Sequence, residues 1–464
     1  MMGSTISRMQ TTLRRIGAIG AWLILWQLAS WAIGNPLLFC GPIEAFEALL
    51  HDILTPASWL VIGWSAGRIA AGFAVACILG LLLGAVAGRS EAVRTFLAPA
   101  LHGMKSTPIV CVIALLLVWC GSNLATSIAV GLVVLPPFYF AMLEAHRIAD
   151  PATDQMLETF QVRGWRRSLF VRWPQAAPFV RAAARTSTGM AWKAGVACEL
   201  IGLPTLSIGE QIYLGKLSLD MASIVAWTVV IIALGWLSER IVVAAVDAAA
   251  KLPARILDRE CAQATPTDQA PPMPSAEAVI IRDGWRSFGG EPVLEGFSLE
   301  VEQGSIARLT SPSGSGKTTT LRIIAQLDAF DEVSPASMLP TCAPSMAFQE
   351  PRLIESLSAP QNLALVASSE QELGFARYLL DELIPEEPLL ESKPVSALSG
   401  GQRRRIELAR ALAHPSSVLL LDEPFAGLDE ANAQHAAQLI HEHRANRTLI
   451  IATHDRSNLM RAEG

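Results

Sequence analysis

A chain of 464 residues that is 51% hydrophobic and only 17% charged is too apolar for a single soluble domain and long enough for several. The charge is uneven: residues 1–250 hold 17 Lys/Arg against 13 Asp/Glu, whereas 251–464 hold 19 against 29. Eleven of the twelve Trp precede residue 250, so a membrane half with interfacial tryptophans is followed by an acidic soluble half, a balance that excludes nucleic acid as a partner. The seven Cys (40, 77, 111, 120, 198, 261 and 342) have no metal-type spacing and read as small buried hydrophobes.

Arg8, Arg14 and Arg15 precede an apolar stretch, 16–34. It is long for the core of a signal peptide and more such stretches follow, so it predicts a first transmembrane helix. Further spans are predicted at 60–88, 107–120, 124–143, 186–201 and 221–238, giving five or six. The connecting segments alternate between basic and non-basic. The N-terminus has three Arg, 35–58 has none, 89–106 has Arg89, Arg94 and Lys105, 121–123 has none, 144–185 has seven Arg, and 202–220 has only Lys216. The excess of positive charge predicts a cytoplasmic N-terminus, a cytoplasmic 144–185 loop, and a cytoplasmic location for everything after 239. Arg68, Lys193 and Glu199 fall inside spans, where a charge faces a cavity or a partner, or else lies at the interface.

In the 144–185 loop, Glu158-Thr-Phe-Gln-Val-Arg-Gly164-Trp165 is followed by Trp173-Pro174 and Pro178. A short helix, a turn at Gly164 and a lead into the next span are expected. The segment resembles the coupling motif of importer permeases, with Glu158 and Gly164 at its spacing and Thr159 and Phe160 in place of two alanines. Arg68–Phe73, Ala191-Trp192, Glu199–Gly202 and Ile208-Gly209 are similar to permeases of the nitrate, sulfonate, taurine and thiamine-precursor uptake group.

Residues 251–276 are rich in Pro, Ala, Thr and Gln. They are expected to form a flexible linker between a membrane domain at 1–250 and a soluble domain at 277–464.

Beyond the linker, a strand candidate at 305–310 runs into Ser311-Pro312-Ser313-Gly314-Ser315-Gly316-Lys317-Thr318-Thr319 and then a helix. That strand–loop–helix context suits a phosphate-binding loop. Gly314 and Gly316 allow successive N–H groups to converge on phosphate, Lys317 reaches the β- and γ-phosphates, and the Thr318 hydroxyl ligates Mg²⁺. Ser311 stands where the motif has its first Gly and is expected to hold that backbone conformation at some strain. Val418-Leu-Leu-Leu-Asp422-Glu423 reads as a buried strand ending in two carboxylates, Asp422 for Mg²⁺ and Glu423 as general base, pointing apart because strand side chains alternate.

With Leu398-Ser399-Gly400-Gly401-Gln402, these motifs resemble the ATP-binding cassette in their order, across essentially all of 277–464. The resemblance implies further roles. Gln349 would contact Mg²⁺ and water, and His454 the γ-phosphate. Phe288 would stack on adenine. Asp429 would sit at a dimer contact, and Ser399–Gln402 would close on a nucleotide held by the other subunit. The interval from Thr319 to Gln349 is short, so a trimmed antiparallel sheet is expected.

The sequence therefore predicts an all-α polytopic membrane domain of the type I importer kind, followed by an α/β P-loop ATPase domain. The expected activity is ATP-driven import of a small solute across a prokaryotic cytoplasmic membrane. It would use ATP and Mg²⁺, a second copy of the chain and a separate extracytoplasmic solute-binding protein. A half-size exporter and a membrane-anchored, non-transporting ATPase are the alternatives.

Overall fold

The computed structural model describes residues 2–35, 37–312, 314–385, 390–391 and 393–453. The chain divides into two units, Met1–Ile148 with Ala176–Ala248, and Ala149–Gln175 with Ala249–Gly464. Helices α1 (Met2–Ile33), α2 (Pro42–Ile53), α3 (Pro56–Arg89), α4 (Glu91–Ser106) and α5 (Ile109–Arg147) lead the chain. Then come the short α6 (Pro151–Thr159) and α7 (Gly164–Arg166), followed by α8 (Trp173–Gly202), α9 (Ile208–Leu217) and α10 (Met221–Gln263).

Among the described residues, α3, α5 and α10 are long and apolar enough to cross a membrane, and Gly17–Ile33 within α1 is a shorter apolar run. The expected spans 107–120 and 124–143 are merged in α5, where Gly121 (φ 70, ψ 168) breaks the helix. α8, with Arg181, Arg185, Lys193 and Glu199 along its length, is not among the three.

The first unit is built on the contact between α3 and α5. A Cβ added at Gly72 would lie 2.2 Å from the Ser127 carbonyl oxygen, and one at Gly84 would lie 2.6 Å from that of Tyr139. The contact points advance together along both helices, so α3 and the part of α5 after Gly121 run parallel at backbone-to-backbone distance, the packing that small residues at four-residue spacing permit. Arg68 and Glu199 form an ion pair at 3.1 Å, with Glu199 fully buried. Ser65 Oγ donates to Glu199 Oε2 at 2.9 Å and accepts from the Ile208 N–H at 2.9 Å, and Arg68 Nη2 donates to Leu206 O at 3.0 Å. Neither residue is solvated at an interface. The pair ties α3 and α8 to the turn before α9, and Lys193 is the exposed member of the three flagged charges.

The second unit contains β1 (Val279–Phe288), β2 (Glu291–Val301), β3 (Ile306–Leu309), β4 (Ser345–Ala347), β5 (Val418–Asp422) and β6 (Thr448–Ala452). β1 and β2 form an antiparallel pair, and the others a parallel sheet in the order β3-β6-β5-β4. To the β1–β2 pair the short 319–349 interval adds only single bridges, Ile280 to Met338 and Trp285 to Glu332, so the antiparallel sheet is trimmed. β5 and β6 are buried at every residue, as continuous apolar runs in a parallel sheet require. Helices α11 (Lys317–Ile324), α12 (Ala359–Val366), α13 (Glu370–Leu383), α14 (Gly400–Ala413) and α15 (Glu430–His443) complete it.

The linker differs from expectation. α10 continues through it to Gln263, and Leu257, Cys261 and Ala264 form a buried stripe at helical spacing. Arg377 donates to the Cys261 and Ala264 carbonyls, and Gln361 to Ala254 O and Asp258 Oδ1. The following extended stretch lies so close to α13 that a Cβ on Gly374 would sit 2.5 Å from Thr265 O. Residues 254–270 are a strap held on α12 and α13, because each turn of this Pro- and Ala-rich segment presents something to bury.

Candidate nucleotide site and coupling segment

β3 ends at Leu309 and the chain turns through Gly314 and Gly316, both at φ 83, into α11. At Gly316 only hydrogen fits: a Cβ would meet Leu294 Cδ2 at 2.5 Å and Val293 O at 3.0 Å. Lys317 Nζ arches back to donate to Ser311 O at 2.5 Å. Ser311 is not among the residues with positive φ, so the strain expected from its missing glycine is absent. Ser315, Gly316, Lys317, Thr318 and Thr319 line a cavity of about 270 Å³ with Gln349, Asp422 and Glu423.

β5 delivers the two carboxylates. Asp422 is its last residue, and burial pushes its carboxyl up, opposed by a hydrogen bond from the Thr318 hydroxyl. Its Oδ2 is buried with no hydrogen-bond partner. Glu423 has left the strand: its φ is +50 and its N–H donates to Ala452 O at 2.8 Å. This left-handed backbone, costly for a residue with a Cβ, brings Glu423 onto the same cavity as Asp422 instead of pointing it away. Strand alternation is therefore not what separates the two acids.

Ser399 caps α14, accepting from the Gln402 N–H at 3.2 Å while Gln402 Oε1 accepts from the Ser399 N–H at 2.9 Å. This capping box uses the Gln402 side chain internally. Ser399, Gly400, Gly401 and Asp429 line a different cavity, of about 900 Å³. Asp429 caps α15, and the Asn432 N–H that it accepts lowers its pKa. Phe288 is 46% exposed, with the Arg286 guanidinium 4.6 Å from its ring centroid, and it does not line the phosphate cavity. His454 and Ser313 lie outside the described residues.

α6 belongs to the core of this unit: Met156, Leu157 and Phe160 are buried in one cluster with residues of α12, α14 and β5. Its N-cap is Asp150, accepting from the N–H groups of Ala152 and Thr153. Burial opposes ionisation of Asp150, but these donors and the Thr153 hydroxyl win and hold its pKa below the usual value. The helix ends in a Schellman turn, with Gln161 at φ 53, the Val162 N–H donating to Leu157 O at 2.8 Å and the Gln161 N–H to Glu158 O at 3.1 Å. Gly164 is a second left-handed residue, at φ 62, opening α7. Glu158 points outward, 4.0 Å from Arg167, so the contact is made by its neighbours. Gln155 accepts from Arg352 at 2.7 Å, and the Phe160 ring meets His414 edge-on, with centroids 5.1 Å apart.

The sequence reading missed Gln155, Arg352, Arg404, Glu407 and Arg410. The signal was present in α14, whose charges at 404, 407 and 410 recur every three residues beside apolar Ile406 and Ala409.

Two family profiles match the chain, "Binding-protein-dependent transport system inner membrane component" over residues 78–251 and "ABC transporter" over 294–426. The aliphatic sulfonates import ATP-binding protein SsuB 2 of Pseudomonas syringae pv. syringae (strain B728a) is 36% identical over 198 residues, 41% of this chain and 70% of that one. The chain belongs to the ABC transporter family. Another similar ABC protein, the aliphatic sulfonates import ATP-binding protein SsuB 1 of Paracoccus denitrificans (strain Pd 1222), is 36% identical over 180 residues, 38% of this chain and 73% of that one. The solved dimeric bacterial ABC transporter cassette MJ0796 aligns with 40% of this chain and 90% of its own at 25% identity, with a TM-score of 0.35. This ABC transporter chain joins an importer-type permease to an ATPase, binds ATP, and couples its hydrolysis to transport across a membrane.

Proposed function

We propose that the chain is a homodimeric importer of a small solute in the prokaryotic cytoplasmic membrane, supplied by a separate extracytoplasmic binding protein. The observation that carries this reading is the burial of α6, a helix lying between α5 and α8 in sequence, in the core of the ATPase unit. The short 144–185 loop places that helix on the same side as the ATPase under the alternation of basic segments, with the N-terminus also cytoplasmic. The domains are 1–250 and 277–464, joined by 251–276, of which 254–270 is the strap held on α12 and α13. Lipid covers the exposed apolar faces of α3, α5 and α10.

In this reading ATP lies along Gly314–Thr319, with Lys317 on its phosphates, Ser311–Ser313 forming the start of the loop, and adenine on Phe288. The Thr318 hydroxyl and the orphaned oxygen of Asp422, with Gln349 beside them, are the hard oxygen donors that suit Mg²⁺. Bound there, Mg²⁺ would neutralise phosphate charge. Glu423 takes the proton of the attacking water and His454 contacts the γ-phosphate. Ser399, Gly400 and Gly401, on a cavity separate from the phosphate loop of their own chain, complete the site of the second copy together with Gln402, with Asp429 at that contact.

The test is ATPase activity in proteoliposomes with a panel of solutes headed by alkanesulfonates, the class named in the relatives, each with and without a candidate binding protein. Stimulation that needs both solute and binding protein supports import. Stimulation by solute alone from the cassette side supports an exporter, and hydrolysis that no solute alters supports an anchored ATPase.

A further inference from the structure

α14 turns four charged side chains into the interior, and three of them form one cluster: Arg404, Glu407 and Arg410 are 4%, 0% and 1% exposed. Glu407 pairs with both guanidinium groups at 3.4 Å and accepts from the Arg352 N–H at 3.1 Å. Its partners reach further. Arg404 donates to the carbonyls of Phe348 and Gln349, and Arg410 to that of Arg352 at 2.8 Å. Both ends of the Phe348–Arg352 loop are thus fixed through their backbone by one helix. The same groups meet the coupling segment. Arg352 donates to Gln155 at 2.7 Å, and the Arg410 guanidinium lies 4.7 Å from the Phe160 ring centroid.

A buried ion cluster of this kind is not needed for stability, since apolar residues of similar volume commonly do as well or better. What charges add is direction, and here the guanidinium groups are aimed at the carbonyls of one loop. Burial also opposes the charged form of every member: it raises the pKa of Glu407 and pulls that of Arg410 down to about 10. Ser399 caps the same helix, and a helix is stiff over the roughly 12 Å that separate residues eight positions apart.

We infer that Glu407 is a positioning residue for Gln349: its carboxylate holds the two arginines that fix the Gln349 loop to α14, so that closure at Ser399 and the seat of the coupling segment move together. This rests on the proposed roles of Gln349 and Ser399. Glu407→Gln removes the charge that gathers the arginines and keeps the volume. Its steady-state ATPase, measured on the purified full-length protein in nanodiscs, is expected to show kcat down about tenfold or more, with KM for ATP within about twofold. Glu407→Asp, which keeps the charge, retains more of kcat. The triple variant Arg404→Met, Glu407→Leu, Arg410→Met keeps an apolar interior; it is expected to melt no lower than the parent and to show the same low kcat. A folded triple variant with parental kcat overturns the inference, as does a Glu407→Gln variant in which KM rises and kcat holds. The readout needs no solute, so a parent protein that turns over ATP but responds to no solute sinks the import reading and leaves this result standing.

Discussion

At the residue scale, the two acids after Leu421 divide by backbone conformation. Asp422 stays in the strand with one oxygen orphaned, and Glu423 is forced into the left-handed region at φ 50 to reach the same cavity. Glu423→Gln keeps size and Asp422 while removing the proton acceptor. Phosphate release is expected to fall at least about a hundredfold with ATP binding retained, the loss typical of a missing general base. Turnover near the parental rate would remove Glu423 from that role. Ser311→Gly behaves differently from what the motif suggests. Ser311 has no positive φ to relieve, so glycine brings only a looser unfolded chain, a loss of about 0.4–1 kcal/mol, and ATP affinity unchanged within about twofold. Tighter ATP binding by that variant would show that the loop is strained after all.

At the element scale, α6 owes its ending to Gln161 and its redirection to Gly164, both left-handed. Gln161→Gly is expected to stabilise the protein by about 0.4–1 kcal/mol in thermal melts, because glycine holds that conformation without steric cost. Gly164→Leu has open space around its Cβ, so its penalty is the backbone conformation alone, about 1–2 kcal/mol, concentrated in the coupling turn. Basal ATPase should persist while solute-stimulated turnover falls; parental coupling in this variant would clear the turn of any role. Glycine punctuation, strand hydrophobicity and the Lys-Thr of the phosphate loop made the cassette legible from sequence, since each marks a local backbone requirement. The Gln161 turn was not legible because its residue type carries no turn signal. The strap was hidden because its stripe of Leu257, Cys261 and Ala264 is sparse and lies among prolines and alanines, and its partners come from α12 and α13, over a hundred residues away. The α14 cluster was obscured because three charges on a helix normally describe a solvated face.

At the scale of the whole molecule, the phosphate loop and the N-terminus of α14 line separate cavities, and the proposed homodimer completes each site with a second copy. Lys317→Ala chains and Ser399→Arg chains should each be inactive as homodimers. Co-expressed, half of their dimers would be mixed, and each mixed dimer would carry both lesions in one site and none in the other. Activity should then return to about a quarter of the parental rate for two-fold composite sites that work independently. Mixed preparations as dead as either parent would mean that the sites are not shared, or that one intact site is not enough.

The strap also bears on how the gene could be cut. A split after residue 276, where composition alone suggests slack, would leave Leu257, Cys261 and Ala264 on the permease polypeptide and an uncovered apolar furrow on the ATPase polypeptide, along with an unsatisfied Arg377 and Gln361. A split before Ala249 keeps the strap with the helices it covers. Both fragments lack α6, so ATPase fragments that begin at 249 and at 277 should differ in solubility by the strap alone, with the longer one the more soluble.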